Sequence, residues 1–198
     1  MAVAATANIL IDPVSNVLKW ILLSVAVVTF SVLAWTIGVT YKEAPPFPDR
    51  FVTSDGAVLM TAADIQAGKA GFQKADLMDY GSLYGMGSYF GPDYTAEYLV
   101  RLGQLTEDNI DKVPALTTDR QATVRSIMQG QLQGVDLAKR EAVIPNALAA
   151  SMKTLQGEIT EKLQHDDFAK GWTQAYSLDE ESARQTADFL IYLSLIHI

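Results

Sequence analysis

The chain has 198 residues, 49% hydrophobic and 19% charged, with 15 Lys and Arg against 23 Asp and Glu and a formal net charge of −8. This length supports one folded domain, and the acidic balance excludes nucleic acid as a partner, because phosphate binding needs a basic face. With no cysteine and only two histidines, His165 and His197, the chain cannot build a disulfide, a cysteine-ligated iron-sulfur cluster, a thiolate zinc site, a thioether-attached haem or a site of three histidines.

A tail, residues 1–16, precedes a segment, residues 17–41, that reads as a transmembrane helix. From Trp20 to Tyr41 there are 22 residues without a charge; at ~1.5 Å each they span about 33 Å, enough for the hydrocarbon core of a bilayer. Trp20, Trp35 and Tyr41 lie at or near the positions of interfacial aromatics. A cleaved signal peptide is the alternative, but its apolar region usually runs only ~7–15 residues after a more basic start. Lys19 and Lys42 flank the two ends equally, so charge does not orient the helix.

Residues 42–50 form a Pro-rich linker, in which Glu43-Ala44-Pro45-Pro46-Phe47-Pro48 is extended and cannot continue the helix. The extramembrane domain, residues 51–182, is expected to be mainly α with one small β-hairpin. That hairpin is predicted from the β-prone runs Phe51-Val52-Thr53 and Ala57-Val58-Leu59-Met60 around Ser54-Asp55-Gly56, whose Asp-Gly pair suits a tight turn. Thr61 caps a helix running to about Gln73, with Ile65 and Phe72 on one side and Gly68 between them allowing close packing.

From Asp79 to Asp93 the chain holds four glycines, a proline and four aromatics, the texture of a structured loop packed by rings. Thr95 is expected to cap the next helix, which carries Tyr98, Leu99, Leu102 and Leu105. Further helices are predicted near Asp119 to Gln133 and from Asn146 to Gln164, where Leu148, Met152, Leu155, Ile159 and Leu163 form one apolar stripe despite Gly157. Ser177 and Glu180 have the spacing of a capping box, opening a helix that is uncharged from Phe189 to Ile198. Residues 183–198 therefore read as the start of a second membrane helix; ten apolar residues are too few to span, so the chain is expected to be truncated there.

No catalytic, cofactor-binding or metal site is predicted. Gly85-x-Gly87 and Gly91 lack the strand-turn-helix context of a phosphate loop and are expected to provide turns and close backbone approach between rings. His165, among Gln164, Asp166 and Asp167 at a helix end, reads as a solvated imidazole facing the negative end of the dipole rather than a metal ligand. Glu107-Asp108 behind Thr106 and Asp179-Glu180-Glu181 behind Ser177 read as first-turn carboxylates. Asp79-Tyr80 and Asp93-Tyr94 bracket the Gly-rich loop, with turn capping the expected role of the aspartates and a proton relay the alternative. No Ser-His-Asp or Cys-His arrangement can be assembled.

The region from Tyr41 to Arg101 carries Pro45-Pro46-x-Pro48, Val52-Thr53-x-Asp55-Gly56, Asp64-Ile65-x-Ala67-Gly68, Leu77-Met78-Asp79-Tyr80-Gly81-Ser82 and Gly85-x-Gly87-x-Tyr89-x-Gly91-Pro92-Asp93-x-Thr95-Ala96-x-Tyr98-Leu99. In these motifs, and more loosely through Glu181-x-x-Arg184-Gln185 to Phe189, it resembles the N-terminal region of quinol-dependent nitric oxide reductases. These are single-chain respiratory enzymes of the haem-copper oxidase superfamily. The resemblance implies an extracytoplasmic, cytochrome c-like domain without haem between the first and second membrane helices. Aligned on Gly85, Gly87, Tyr89, Pro92 and Asp93 with the related cytochrome c subunit, Leu77 and Tyr80 stand where the two cysteines would be and Gly81 where the axial histidine would be. Tyr80 or Tyr84 is expected to fill part of the vacated pocket.

The resemblance further implies that the full enzyme, in denitrification, reduces two NO to N2O with electrons from membrane quinol. Haem b and non-haem iron are expected in later membrane helices outside this chain. Expected partners are the lipid bilayer, those membrane helices and quinol; the expected location is the bacterial inner membrane, with the N-terminus cytoplasmic and the domain periplasmic. The ending Leu193-Ser194-Leu195-Ile196-His197-Ile198 departs from the family and reads as one frame of a transposon end used to tag sequencing libraries, so foreign sequence is expected there. The competing reading is the extracytoplasmic ligand-binding module of a membrane sensory receptor, which the Gly-rich aromatic loop counts against.

Overall fold

A computed structural model describes residues 15–111, 126, 129–130, 133–165 and 178–196. The chain divides into two units, Met1–Pro45 and Pro46–Ile198. The first contains α1 (Asn16–Lys42), 27 residues with a mean hydropathy of 2.2, long and apolar enough to cross a membrane. None of its residues is buried against protein. Three of its hydroxyls bond back within the helix, Ser31 Oγ donating to Val27 O at 2.8 Å, Thr36 Oγ1 to Leu33 O at 2.9 Å and Thr40 Oγ1 to Thr36 O at 2.8 Å, a pattern suited to hydrocarbon surroundings.

The second unit contains β1 (Arg50–Thr53), β2 (Val58–Thr61), α2 (Ala62–Lys74), α3 (Leu77–Tyr80), β3 (Ser82–Leu83), β4 (Met86–Gly87), α4 (Tyr94–Asp111), β5 (Glu141–Ile144), α5 (Asn146–Gln164) and α6 (Glu180–Leu195). It is mainly helical, as expected. The hairpin β1–β2 forms with Gly56 at φ +86, the left-handed conformation that the Asp-Gly pair makes inexpensive. A third strand was not foreseen: β5 pairs in parallel with β1, giving the order β2-β1-β5. Ala142 and Ile144 point inward and Glu141 and Val143 outward.

Thr61 caps α2 as predicted. Its Oγ1 accepts from Asp64 N at 3.2 Å, and Asp64 Oδ2 accepts from Thr61 N at 3.1 Å, completing a capping box. Helix α5 has the predicted bounds, and Leu148, Met152, Leu155, Ile159 and Leu163 are all buried. The predicted helix near Asp119 to Gln133 lies outside the described residues apart from 126, 129–130 and 133.

Three expectations are corrected. Helix α4 starts at Tyr94, with Asp93 rather than Thr95 capping it: Asp93 Oδ1 accepts from Ala96 N at 3.0 Å. It runs on through Thr106, whose Oγ1 donates to Leu102 O at 2.7 Å, so Glu107 and Asp108 lie at the end of one helix rather than the start of another. Helix α6 is capped by Asp179, whose Oδ1 accepts from Ser182 N at 2.9 Å; Ser177 lies outside the described residues.

Helix α6 lies against α2, α4 and α5. Thr186 through Tyr192 are buried without interruption, followed by Ser194 and Leu195. The apolar run read as the start of a membrane helix is therefore packed inside the domain as far as Leu195. The crossing of α2 and α6 depends on the glycines of α2, as expected for Gly68. A Cβ at Gly68 would collide with the carbonyl oxygen of Gln185 and come within 2.9 Å of Phe189 Cβ, and one at Gly71 would collide with Thr186 Oγ1. Backbone thus meets backbone, and the aromatic and aliphatic core closes around the contact.

Candidate functional site

The Gly-rich loop forms a small scaffold. Strands β3 and β4 pair across a two-residue turn, with Tyr84 at φ +54 and Gly85 at φ +72, the two positive φ values that tight hairpins favour. Asp93 ties the loop to α4. Its Oδ2 accepts from Ser82 Oγ at 2.9 Å and from Gly85 N, and its Oδ1 accepts from Thr95 Oγ1 and Ala96 N. Burial opposes the charged form, but the hydrogen bonds from Thr95, Gly85, Ala96 and Ser82 outweigh it and hold the carboxyl down at about 2. Asp93 is thus a fixed anion that organises backbone, the capping role expected of it. Asp79 is exposed on the single turn of α3.

Behind the loop the interior is filled by the chain's own rings. Tyr94 is fully buried, donates from its hydroxyl to Leu77 O at 3.1 Å, and meets Phe72 edge-on with ring centroids 5.9 Å apart. Tyr98 stacks on it at 6.3 Å. A Cβ at Gly81 would lie 2.5 Å from Pro92 O and 2.7 Å from two Tyr94 ring carbons, and one at Gly91 would lie 2.5 Å from the Tyr80 ring. Gly91 thus has the ring-packing role expected of it, whereas Gly85 serves the turn at φ +72 and Gly87 allows close approach to the Gly81 carbonyl oxygen rather than to a ring. Tyr94 occupies the space at Gly81, while Tyr80 lies against Gly91 and the core. Tyr84 turns to α6, its hydroxyl donating to Leu193 O at 3.0 Å, and burial pushes its pKa up to about 12.

A cytochrome c-like haem does not fit these residues. There is no cysteine for a thioether bond, Leu77 is wholly buried, and at Gly81 the Tyr94 ring and Pro92 carbonyl leave no room for a histidine.

A groove of about 540 Å³ runs between α4 and α5. Arg101 and Glu158 face each other across it in a two-point contact at 2.9 and 2.6 Å. Lys162 meets Glu97 at 3.3 Å and sits 6.0 Å over the Tyr98 ring. These pairs are half-exposed and contribute little to stability. The hydroxyl of Tyr98 is buried with no hydrogen-bond partner among the described residues, and burial drives its pKa far up, so it carries its proton at any working pH. Nothing here arranges a nucleophile beside a base.

His165 ends α5, exposed, with Nδ1 2.9 Å from Glu161 O, the helix-end placement expected of it. Among the described residues no group of three or more His, Asp or Glu could hold a metal ion.

Sequence reasoning missed one cluster. Arg184 reaches Asp64 at 3.0 Å, Glu181 at 2.8 Å and Asp188 at 3.0 Å, and Gln156 donates to Asp188 Oδ1 at 2.5 Å. Burial pushes Asp188 up to about 7, against the Gln156 hydrogen bond and the Arg184 charge. The cluster joins α2, α5 and α6. An Asp inside an apolar helical run was the available signal, since a carboxylate there must find partners.

Compared with known proteins, the sequence profile of the NorB cytochrome c-like domain of nitric oxide reductase matches residues 48–197. No curated protein matches the chain. The matched span covers the hairpin, the Gly-rich loop and all the described helices of the second unit, and the chain belongs to the family of nitric oxide reductase NorB cytochrome c-like domains.

Proposed function

We propose that this chain supplies the N-terminal anchor and the structural periplasmic domain of a quinol-dependent nitric oxide reductase. The complete enzyme takes two electrons from a membrane quinol, which leaves as quinone with release of two protons. It uses them with two protons to convert two NO into N2O and water, a respiratory step of denitrification. Haem b and non-haem iron belong to the remaining membrane helices, on which this domain sits. The N-terminus lies in the cytoplasm, and α1 holds the chain in the bacterial inner membrane.

The observation that carries the reading is the filled interior at Gly81 in a domain of this family. A domain that cannot hold its own haem c cannot pass electrons from a soluble cytochrome, which supports quinol as the donor. No observation favours the sensory-receptor reading.

The test is NO uptake by membranes expressing the complete reading frame that encodes this domain, in a host without another NO reductase. Quinol is expected to sustain NO loss and reduced cytochrome c is not. Loss with cytochrome c alone would overturn the quinol assignment, and no loss with either donor would overturn the reductase reading.

A further inference from the structure

Between Asp79 and Asp93 there is no charged residue, yet the tip of this segment is open to solvent. Tyr89 is 92% exposed, Phe90 68%, Met86 67% and Met78 39%. Met78 lies against the same segment: its methyl is 3.3 Å from the Cβ position of Gly87, and Ser88 N donates to Met78 O at 3.2 Å. The tip is also held firmly from behind, by the Tyr84-Gly85 turn and by the Asp93 carboxylate on Ser82 and Gly85. Large apolar side chains exposed within one short segment on a fixed support mark an interaction site.

We infer that this tip enters the headgroup layer of the bilayer and is the domain's second contact with the membrane, after α1. Two observations favour lipid as the occupant. Only residues 43–49 join α1 to β1, and even fully extended they reach about 25 Å, so a domain whose α1 is in a bilayer stays within reach of its surface. The composition also fits: tyrosine and phenylalanine with flexible apolar methionines and no charge suit the interface, where amphipathic rings sit at headgroup depth. The flanking charges are both carboxylates, so the contact is apolar, indifferent to salt and weakened by anionic lipid. The inference rests on α1 being in a bilayer and not on the reductase reading.

The absence of cysteine allows a clean test. Single variants Ser88→Cys at the tip, Thr154→Cys on the exposed face of α5 and Val28→Cys in α1 are spin-labelled in the full chain, in phosphatidylcholine nanodiscs, and their collision rates with oxygen and with an aqueous nickel chelate are compared. The expected result is an oxygen-to-nickel ratio at Ser88→Cys several-fold above that at Thr154→Cys and below that at Val28→Cys. Changing Met86, Tyr89 and Phe90 together to serine should bring the tip down to the Thr154→Cys value. A tip label as accessible to nickel as the Thr154→Cys label would overturn the inference, as would one shielded from both reagents, which would mean a protein contact instead. A Val28→Cys label that behaves as aqueous would show the failure to lie in the anchor.

Discussion

Adding one methyl group at Gly81 measures how completely the interior behind the Gly-rich loop is filled. Gly81 has φ −122 and ψ −165, extended backbone that alanine adopts freely, so Gly81→Ala carries no conformational strain and by itself would stabilise by about 0.4–1 kcal/mol through the unfolded chain. The steric side opposes this. The new Cβ would stand 2.5 Å from Pro92 O and 2.7 Å from two ring carbons of Tyr94. Pro92 O is held by Ser82 N at 3.0 Å, and the Tyr94 ring is buried and pinned to Leu77 O. Neither can move without breaking a hydrogen bond, and overpacking of this kind costs about 1–3 kcal/mol. The net expectation is a loss of roughly 1–2 kcal/mol, read as a lower urea midpoint with unchanged slope for the full chain in detergent. Gly157→Ala is the internal control: its Cβ meets nothing within 4 Å, so in a helix interior it should stabilise by about 0.5–1 kcal/mol. If Gly81→Ala were as well tolerated as Gly157→Ala, the space beside Gly81 would be open and the account of a self-filled interior would fail.

The two stacked tyrosines should respond differently in the same assay. Tyr94→Phe removes a hydroxyl bonded to Leu77 O and should cost about 1 kcal/mol, whereas Tyr98→Phe removes a buried hydroxyl without a partner among the described residues and should be neutral or stabilising by about 1 kcal/mol. Asp188, raised to about 7 in the folded chain, favours folding when protonated; the stability it allows is fully present below about pH 4 and is lost as pH rises through 7. Asp188→Asn should therefore flatten urea midpoints between pH 4 and 8 and be the more stable protein at pH 8, by a few kcal/mol at most; equal pH slopes for the two proteins would count against the buried ionisation. Alkaline phosphatase joined to the end of the chain should be active on the periplasmic side, and a cytoplasmic, inactive fusion would reverse the proposed orientation.

How much of this was legible depended on how local the signal was. The five-residue apolar stripe of α5 repeats at helical spacing, so its bounds and its buried face could both be read. Asp55-Gly56 and Thr61 likewise carry their own turn and cap chemistry. Strand β5 left little trace, because four residues pair in parallel with β1, about ninety positions earlier in the chain, and such pairing is set by tertiary contacts rather than propensity. Thr106 resembled a cap but bonds back to Leu102 O within a continuous helix, a role that sequence alone does not separate from capping. In α6 from Phe189 onward the ambiguity is physical: a helical stretch enclosed by protein and one enclosed by lipid are both apolar all round. At the loop, the glycines pointed to ring packing, but which ring reached Gly81 required the path of α4 in space. The Arg184 cluster was hidden for the same reason, since Asp64 and Asp188 come together only when α2 crosses α6.

The most direct measurement of the central claim, that this cytochrome c-like domain is closed beside Gly81 by its own side chains, is the proton contact between Gly81 and Tyr94. In the full chain in nanodiscs, with tyrosine rings selectively protonated, strong nuclear Overhauser cross-peaks are expected between the Gly81 α-protons and the Tyr94 ring. Their absence, with the Tyr94 ring instead exchanging contacts with water, would contradict the account and reveal an open crevice beside Gly81.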